Sequence, residues 1–113
     1  MSRLGDRFSL LRDEGRGGLV TFITAGDPTG AISAQILSGL PSAGADIIEL
    51  GMPFTDPMAD GPLIQKSSEI AIKNKMNIKK CLNLVNKIRK IDDTIPIILM
   101  GYYNPIFIYG KTK

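Results

Sequence analysis

The hydrophobic and polar positions of this chain follow two repeats, one typical of helices and the other of buried strands. Apolar residues recur at helical spacing in four segments, which predicts four helices. The predicted helices span residues 2–14, 29–43, 62–75 and 77–91. Short, mostly apolar runs rich in β-branched residues lie between them and predict three strands. The predicted strands span residues 19–24, 46–51 and 95–101.

Two of the predicted helices have apolar faces that can be named in advance. The second presents Ile32, Ile36, Leu37 and Leu40. The fourth presents Ile78, Leu82, Val85, Ile88 and Ile91, and Cys81 is expected to pack on the same face. Pro41 is expected to shorten or kink the end of the second helix, because proline lacks the N–H that a helix interior needs.

The second predicted strand carries a carboxylate within an apolar run. Glu49 lies inside Ile47–Leu50, and such a run is typical of a parallel strand that is covered on both faces. Burying an ionised carboxylate is unfavourable unless it is paired or hydrogen-bonded. The loop that follows adds Asp56 and Asp60. An ordinary structural ion pair is the alternative to a catalytic role for Glu49.

The composition of the acidic loop favours the functional interpretation. Pro53, Pro57 and Pro62 restrict the backbone there, while Gly51 and Gly61 let it turn at the two ends. A stiff loop that presents two acids beside a strand-borne glutamate is typical of a preorganised site.

Composition limits the chemistry further. The 113 residues fit one domain at most and include a single cysteine and no histidine. A lone cysteine excludes an intrachain disulfide and favours a cytoplasmic location. Without histidine, acid–base chemistry must rest on carboxylates, tyrosines or lysines, and no metal site is expected. No apolar run approaches the roughly 18 residues of a membrane span, so no membrane partner is expected.

Positive charge is concentrated in one part of the chain. Between Lys66 and Lys90 lie eight basic residues and one acid. A nucleic-acid surface is one interpretation. Because the run has no interleaved aromatic residues, a solvated outer helix face is preferred and no nucleic-acid partner is expected.

The order of elements indicates an α/β fold with a parallel sheet. Glu49, Asp60 and Tyr102 all lie at or beyond the carboxyl end of a predicted strand, where such folds place their sites. Neither a GxGxxG fingerprint nor a Walker motif is present, which disfavours nucleotide binding. The chain is therefore predicted to be the N-terminal part of a (β/α)8 TIM barrel, with about three βα units after an N-terminal helix. We predict one partial domain over residues 1–113, truncated at its C-terminus, because a whole barrel needs about 250 residues.

One long motif resembles that of a known family. Residues 48–62, IELGMPFTDPMADGP, closely resemble the signature of the tryptophan synthase alpha subunit. The resemblance extends to residues 22–28, 64–65 and 100–105, in the right order. It implies a lyase of tryptophan biosynthesis, which cleaves indole-3-glycerol phosphate to indole and glyceraldehyde 3-phosphate by a retro-aldol reaction.

The resemblance also implies roles for individual residues. Glu49 would be the principal acid–base group, and Asp60 would stabilise positive charge near the indole nitrogen. Two carboxylates in different surroundings can act in different protonation states. Tyr102 would line the indole site, and Phe22 and Met100 would form its apolar wall. For Phe22 and Met100, ordinary core packing is the alternative.

The family's partner is a pyridoxal-phosphate-dependent beta subunit in an alpha2beta2-type complex. No cofactor is implied in the alpha subunit itself. Pro53 and Asp56 lie in the segment that resembles the partner contact, and Asn104 begins a second candidate segment. Thr55 stands where the family often has serine, a change that keeps the hydroxyl.

The chain lacks the later strands and the glycine-rich phosphate site of that family. It is therefore expected to be inactive or nearly so by itself, with an open sheet edge that favours association. Two alternatives remain: a different phosphate-handling (β/α)8 lyase or isomerase, and a non-catalytic chain that binds a beta-type subunit.

Overall fold

The computed structural model describes residues 2–53 and 61–101, which form four helices and three strands. In chain order these are α1 (Arg3–Glu14), β1 (Val20–Thr24), α2 (Gly30–Ala43), β2 (Ile47–Gly51), α3 (Pro62–Lys73), α4 (Ile78–Ile91) and β3 (Ile97–Met100). Every predicted element is confirmed, and the strands are shorter than predicted by one to three residues. No helix in these two ranges is long and apolar enough to cross a membrane.

Local sequence signals define where the helices begin and end. The side chains of Ser2, Thr29 and Asn77 accept a backbone N–H in the first turn of α1, α2 and α4. Gly15 and Gly44 end α1 and α2 in the left-handed conformation.

Pro41 does not shorten α2, which ends at Ala43, the last residue of the predicted helix. The last carbonyl groups of this helix are still used, because the Gly44 N–H donates to Leu40 and Pro41. A proline this close to the C-terminus removes a donor without leaving the end of the helix unsatisfied.

The sheet is parallel and its strands lie in the order β1-β2-β3. β2 is therefore central, and its Glu49 is paired with Phe22 of β1 and Ile98 of β3. Paired residues in neighbouring strands project from the same side of a sheet. Phe22, Glu49 and Ile98 thus share one face.

The hydrophobic core lies between the opposite face of the sheet and helices α2 and α4. Ile48 and Leu50 are fully buried and belong to one cluster with Leu37, Leu84 and Ile88. Helix packing on this face accounts for the apolar positions of β2 on either side of Glu49.

Cys81 belongs to the same cluster, as predicted. Burial raises the pKa of its thiol to about 11, so the sulfur is a protonated core atom at neutral pH.

The prediction that β2 is covered on both faces holds only in part for the residues that the structure describes. Glu49 is partly exposed, and its neighbours Val20, Phe22 and Met100 are 47%, 41% and 44% exposed. Ile47 and Gly51, on the same side of β2 as Glu49, are buried, so this face is open only around Glu49 and its exposed neighbours.

Charged side chains hold the amino-terminal end of β2 to α1 and to the residues that follow α1. Asp46, just before β2, accepts two hydrogen bonds from the Arg16 guanidinium at 3.0 and 3.1 Å and one from the Leu19 N–H at 2.8 Å. Arg7 of α1 lies 3.8 Å from the same carboxylate. These donors, chiefly Arg16, lower the pKa of Asp46.

Candidate active site

The carboxyl ends of the three parallel strands meet at one edge of the sheet. β1 leads into the turn at residues 25–28, β2 into Met52 and Pro53, and β3 into Gly101. Pairing continues past the end of β2, where the Met52 N–H donates to the Met100 carbonyl at 2.7 Å. α/β folds place their ligand sites at this kind of edge.

Glu49 lies two residues before the end of the central strand. Since Ile48 and Leu50 point into the helix-covered core, alternation along the strand directs Glu49 to the open face. The carboxylate is thus set among apolar neighbours without being sealed from solvent. Such a group can exchange a proton with a molecule bound on this face.

Phe22 and Met100 flank Glu49 on the same face. Phe22 is its direct partner in β1, and Met100 is paired with Gly51 in the register of β2 and β3. Both side chains are more than 40% exposed, so the described residues do not bury them in a core. Their arrangement suits the wall of an apolar site, while contact with a substrate stays a prediction.

Gly51 provides space for the Phe22 ring. A Cβ atom built at this position would lie 2.7 Å from Phe22 Cζ and 3.1 Å from Cε2. The sequence suggested that Gly51 lets the chain turn, but the residue is the last one of a regular strand. Its function here is close approach, a known reason for glycine in a strand.

The remaining predicted site residues can be placed only in part. Pro53 is partly buried at the start of the segment that follows β2. Asp56, Asp60, Tyr102 and Asn104 lie outside the described residues. Their distances from Glu49 stay untested.

A polar cluster at this edge was not predicted from the sequence. The Ser67 hydroxyl donates to the Asp27 carboxylate, and the Asn74 side chain donates to the carbonyl oxygens of Gly26 and Pro28. Ser67 and Asn74 are seven residues apart, a spacing that puts two side chains on the same side of a helix. This spacing was the indication in the sequence that the two residues could act together.

The described ranges contain no group of three or more histidine, cysteine, aspartate or glutamate residues that could hold a metal ion.

Known proteins share both the sequence and the fold of this chain. The family model for the tryptophan synthase alpha chain matches residues 8–113. Tryptophan synthase subunit alpha from Legionella pneumophila str. Paris is 42% identical with a TM-score of 0.95, over 97% of this chain and 42% of that chain. A protein of solved structure from Aquifex aeolicus VF5 is 40% identical with a TM-score of 0.93, over 97% and 44%.

Tryptophan synthase from M. tuberculosis, in its aminoacrylate-bound form, is 32% identical with a TM-score of 0.88, over 98% of this chain and 44% of that chain. The chain thus spans less than half the length of the solved structures it matches. Over that span its parallel sheet and helices are those of part of a (β/α)8 barrel, which confirms the predicted fold class. With a glutamate on the open face of the central strand and a family match over nearly all its residues, the chain belongs to the tryptophan synthase alpha chain family.

Proposed function

We propose that this chain carries the acid–base part of a site that cleaves indole-3-glycerol phosphate to indole and glyceraldehyde 3-phosphate. Family membership supports a place in tryptophan biosynthesis. The observation that carries the specific proposal is Glu49, projecting from the open face of the central strand between exposed apolar side chains.

The reaction moves one proton and breaks one carbon–carbon bond. The hydroxyl on the side-chain carbon next to the ring loses its proton and becomes the aldehyde of glyceraldehyde 3-phosphate. The electrons of the broken bond return to the indole ring, whose C3 has gained a proton. A single carboxyl group that donates and then accepts a proton can serve both steps.

Glu49 is proposed as that group. Its place on a strand of the sheet, rather than on a loop, holds the carboxylate in a defined position, which acid–base catalysis requires. Asp60 is proposed to stabilise the positive charge that develops near the indole nitrogen when C3 is protonated.

The indole ring is proposed to lie against Phe22 and Met100, with Tyr102 as a third contact. Both side chains that the structure describes offer exposed apolar surface beside the carboxylate. An apolar wall with a few polar groups is the usual composition of a small-molecule site.

This chain covers 42% of the Legionella pneumophila alpha subunit. The activity of a whole alpha chain is therefore proposed only for a protein that contains these 113 residues together with further ones. By themselves, the 113 residues are proposed to be inactive or nearly so. A pyridoxal-phosphate-dependent beta subunit is proposed as the partner that takes up the indole, through contacts at Pro53, Asp56 and Asn104.

The test measures the release of indole from indole-3-glycerol phosphate. It uses whichever protein shows this activity, either the 113 residues or a longer chain that contains them. Glu49→Gln should lower kcat by a factor of about 10²–10⁴, because the amide cannot transfer the proton. Glu69→Gln, at an exposed acid of α3, is the matched control and should leave kcat unchanged. Full activity in Glu49→Gln would refute the proposal.

A further inference from the structure

The turn that follows β1 rests on one face of α3. Ser67, Ala71 and Asn74 of the α3 segment are spaced at i, i+4 and i+7, so they lie on the same side of the helix. Ala71 is fully buried there. Each of the three residues lies against the turn at residues 26–28.

Two side chains of α3 bind this turn directly. The Ser67 hydroxyl donates to Asp27 Oδ2. The Asn74 amide donates to the carbonyl oxygen of Gly26 at 3.0 Å and also to that of Pro28. Side chains that satisfy turn carbonyls in this way hold the two segments at one distance.

The turn cannot shift without disturbing its packing. Gly26 has φ +94°, and a Cβ atom on it would lie 2.8 Å from Met76 Cβ and 3.2 Å from Ala71 Cβ. Its N–H donates to the buried Ser33 hydroxyl of α2 at 3.1 Å. The turn is therefore held by α2 on one side and by α3 on the other.

The same turn is also bonded to the strand of the catalytic glutamate. The Ala25 N–H donates to the Gly51 carbonyl at 3.0 Å, two residues beyond Glu49. Gly61, at the start of α3, follows Asp60 in the sequence. The turn after β1 thus connects the end of β2 with α3, the two elements between which the acidic segment runs.

We propose that Asp27, Ser67 and Asn74 are positioning residues for the retro-aldol reaction. They fix α3 against the end of β2 and thereby set where Gly61, the N-cap residue of α3, lies relative to Glu49. The inference rests on the proposed function, and it deepens that function by naming three residues that act without touching the substrate.

The first test uses the double variant Ser67→Ala/Asn74→Ala. Ser42→Ala/Asn83→Ala is the matched control, since Ser42 is exposed and donates only within its own helix, and Asn83 is exposed on α4. In the protein that releases indole, kcat per folded molecule should fall about tenfold to hundredfold, as expected when catalytic groups are displaced by about 1 Å. KM should change by less than about twofold, because the substrate contacts are retained.

Substitutions at Asp27 separate positioning from chemistry. Asp27→Asn keeps an oxygen that accepts from Ser67 and should keep kcat, whereas Asp27→Ala should lower it. Loss of activity in Asp27→Asn comparable to that in Asp27→Ala would overturn the assignment. So would a double variant whose kcat per folded molecule, with the folded fraction taken from circular dichroism, equals that of the control.

Hydrogen exchange in the 113-residue chain gives a readout that needs no activity. Amide protons of α3 should exchange about tenfold faster in the double variant, while those of α4 should not change. If amide exchange in α3 were unchanged, the proposal that Ser67 and Asn74 hold α3 to the turn would be overturned. Activity that survives Glu49→Gln would instead refute the proposed function, whatever the exchange result.

Discussion

At the scale of single residues, the candidate site depends on an acidic side chain at Glu49 and on the absence of a side chain at Gly51. Glu49 is accessible because strand alternation directs it away from the helices, and Phe22 reaches over the strand end because Gly51 lacks a side chain. The alternation along β2 could be predicted from the sequence, but the accessibility of Glu49 could not, because it depends on which face the helices cover. The position of Phe22 over Gly51 could not be predicted either, since it depends on a contact between residues 29 positions apart.

Gly51→Ala tests this contact. The nearest atom to the new methyl group is Phe22 Cζ, the free end of a 41% exposed ring, so the ring can swing away. The free energy of unfolding should fall by no more than about 1–2 kcal/mol, and the KM for indole-3-glycerol phosphate should rise as the apolar wall moves. Urea unfolding and steady-state kinetics measure the two effects.

Gly39→Ala is the control, because a Cβ atom at Gly39 meets nothing within 4 Å. In the middle of α2 this change should raise the free energy of unfolding by about 0.5–1 kcal/mol. If Gly51→Ala behaved like this control in both assays, the ring contact would have no effect.

At the level of elements, the helices form where their caps and apolar spacing predict. The faces that they bury differ in part from the predicted faces. In α4 the buried stripe is Cys81, Leu84 and Ile88, whereas Ile91 is 71% exposed. In α2, Leu37 is buried and the predicted Ile32 and Ile36 are about 40% exposed. Which part of an apolar face is covered depends on how the helix docks, and spacing alone does not contain that information.

Charged side chains connect α1 to the rest of the fold. Leu11 is the only buried residue of α1, and the helix is held by Arg7 near Asp46 and by a 2.8 Å ion pair from Arg3 to Asp93. Donors chiefly from Arg16 hold the pKa of Asp46 below its ordinary value of 3.8. Since a lowered pKa favours the folded state while the carboxylate is ionised, this contribution is complete above the unfolded pKa and is lost as the pH falls through the folded pKa.

Asp46→Asn should therefore destabilise the chain near neutral pH and reduce the loss of stability below about pH 4. The measurement is urea unfolding across the acid range. Asp13→Asn, at an exposed acid of α1, is the control and should keep the wild-type pH dependence. If the free energy of unfolding of Asp46→Asn fell with decreasing pH as it does in the wild type, this carboxylate would not couple folding to pH.

At the scale of the whole molecule, the described residues leave one sheet face partly exposed and both edges of the sheet without a further strand. The order β1-β2-β3 makes β1 and β3 edge strands, and Val20, Phe22, Leu99 and Met100 add exposed apolar surface to them. Edges and apolar patches of this kind promote association.

The 113-residue chain is accordingly expected to self-associate, and Phe22→Ser should shift the distribution toward monomer. Leu63→Ser is the control, because Leu63 is 83% exposed on α3 and belongs to neither edge strand. Sedimentation velocity over a range of concentrations measures the distribution. A monomer at all concentrations, or an equal shift in both variants, would contradict this expectation.

The sequence by itself determined the helices, the strands, the parallel α/β architecture and the position of Glu49 on the second strand. These features follow from periodicity, caps and turn residues, which act between residues close together in the chain. Tertiary structure decided which sheet face stays open, why Gly51 must be glycine, and how Asp27, Ser67 and Asn74 tie the first turn to α3. The contacts of Gly51 and of these three residues span 29 to 48 positions of the chain, where the fold brings side chains together and the local pattern carries no record of the partner.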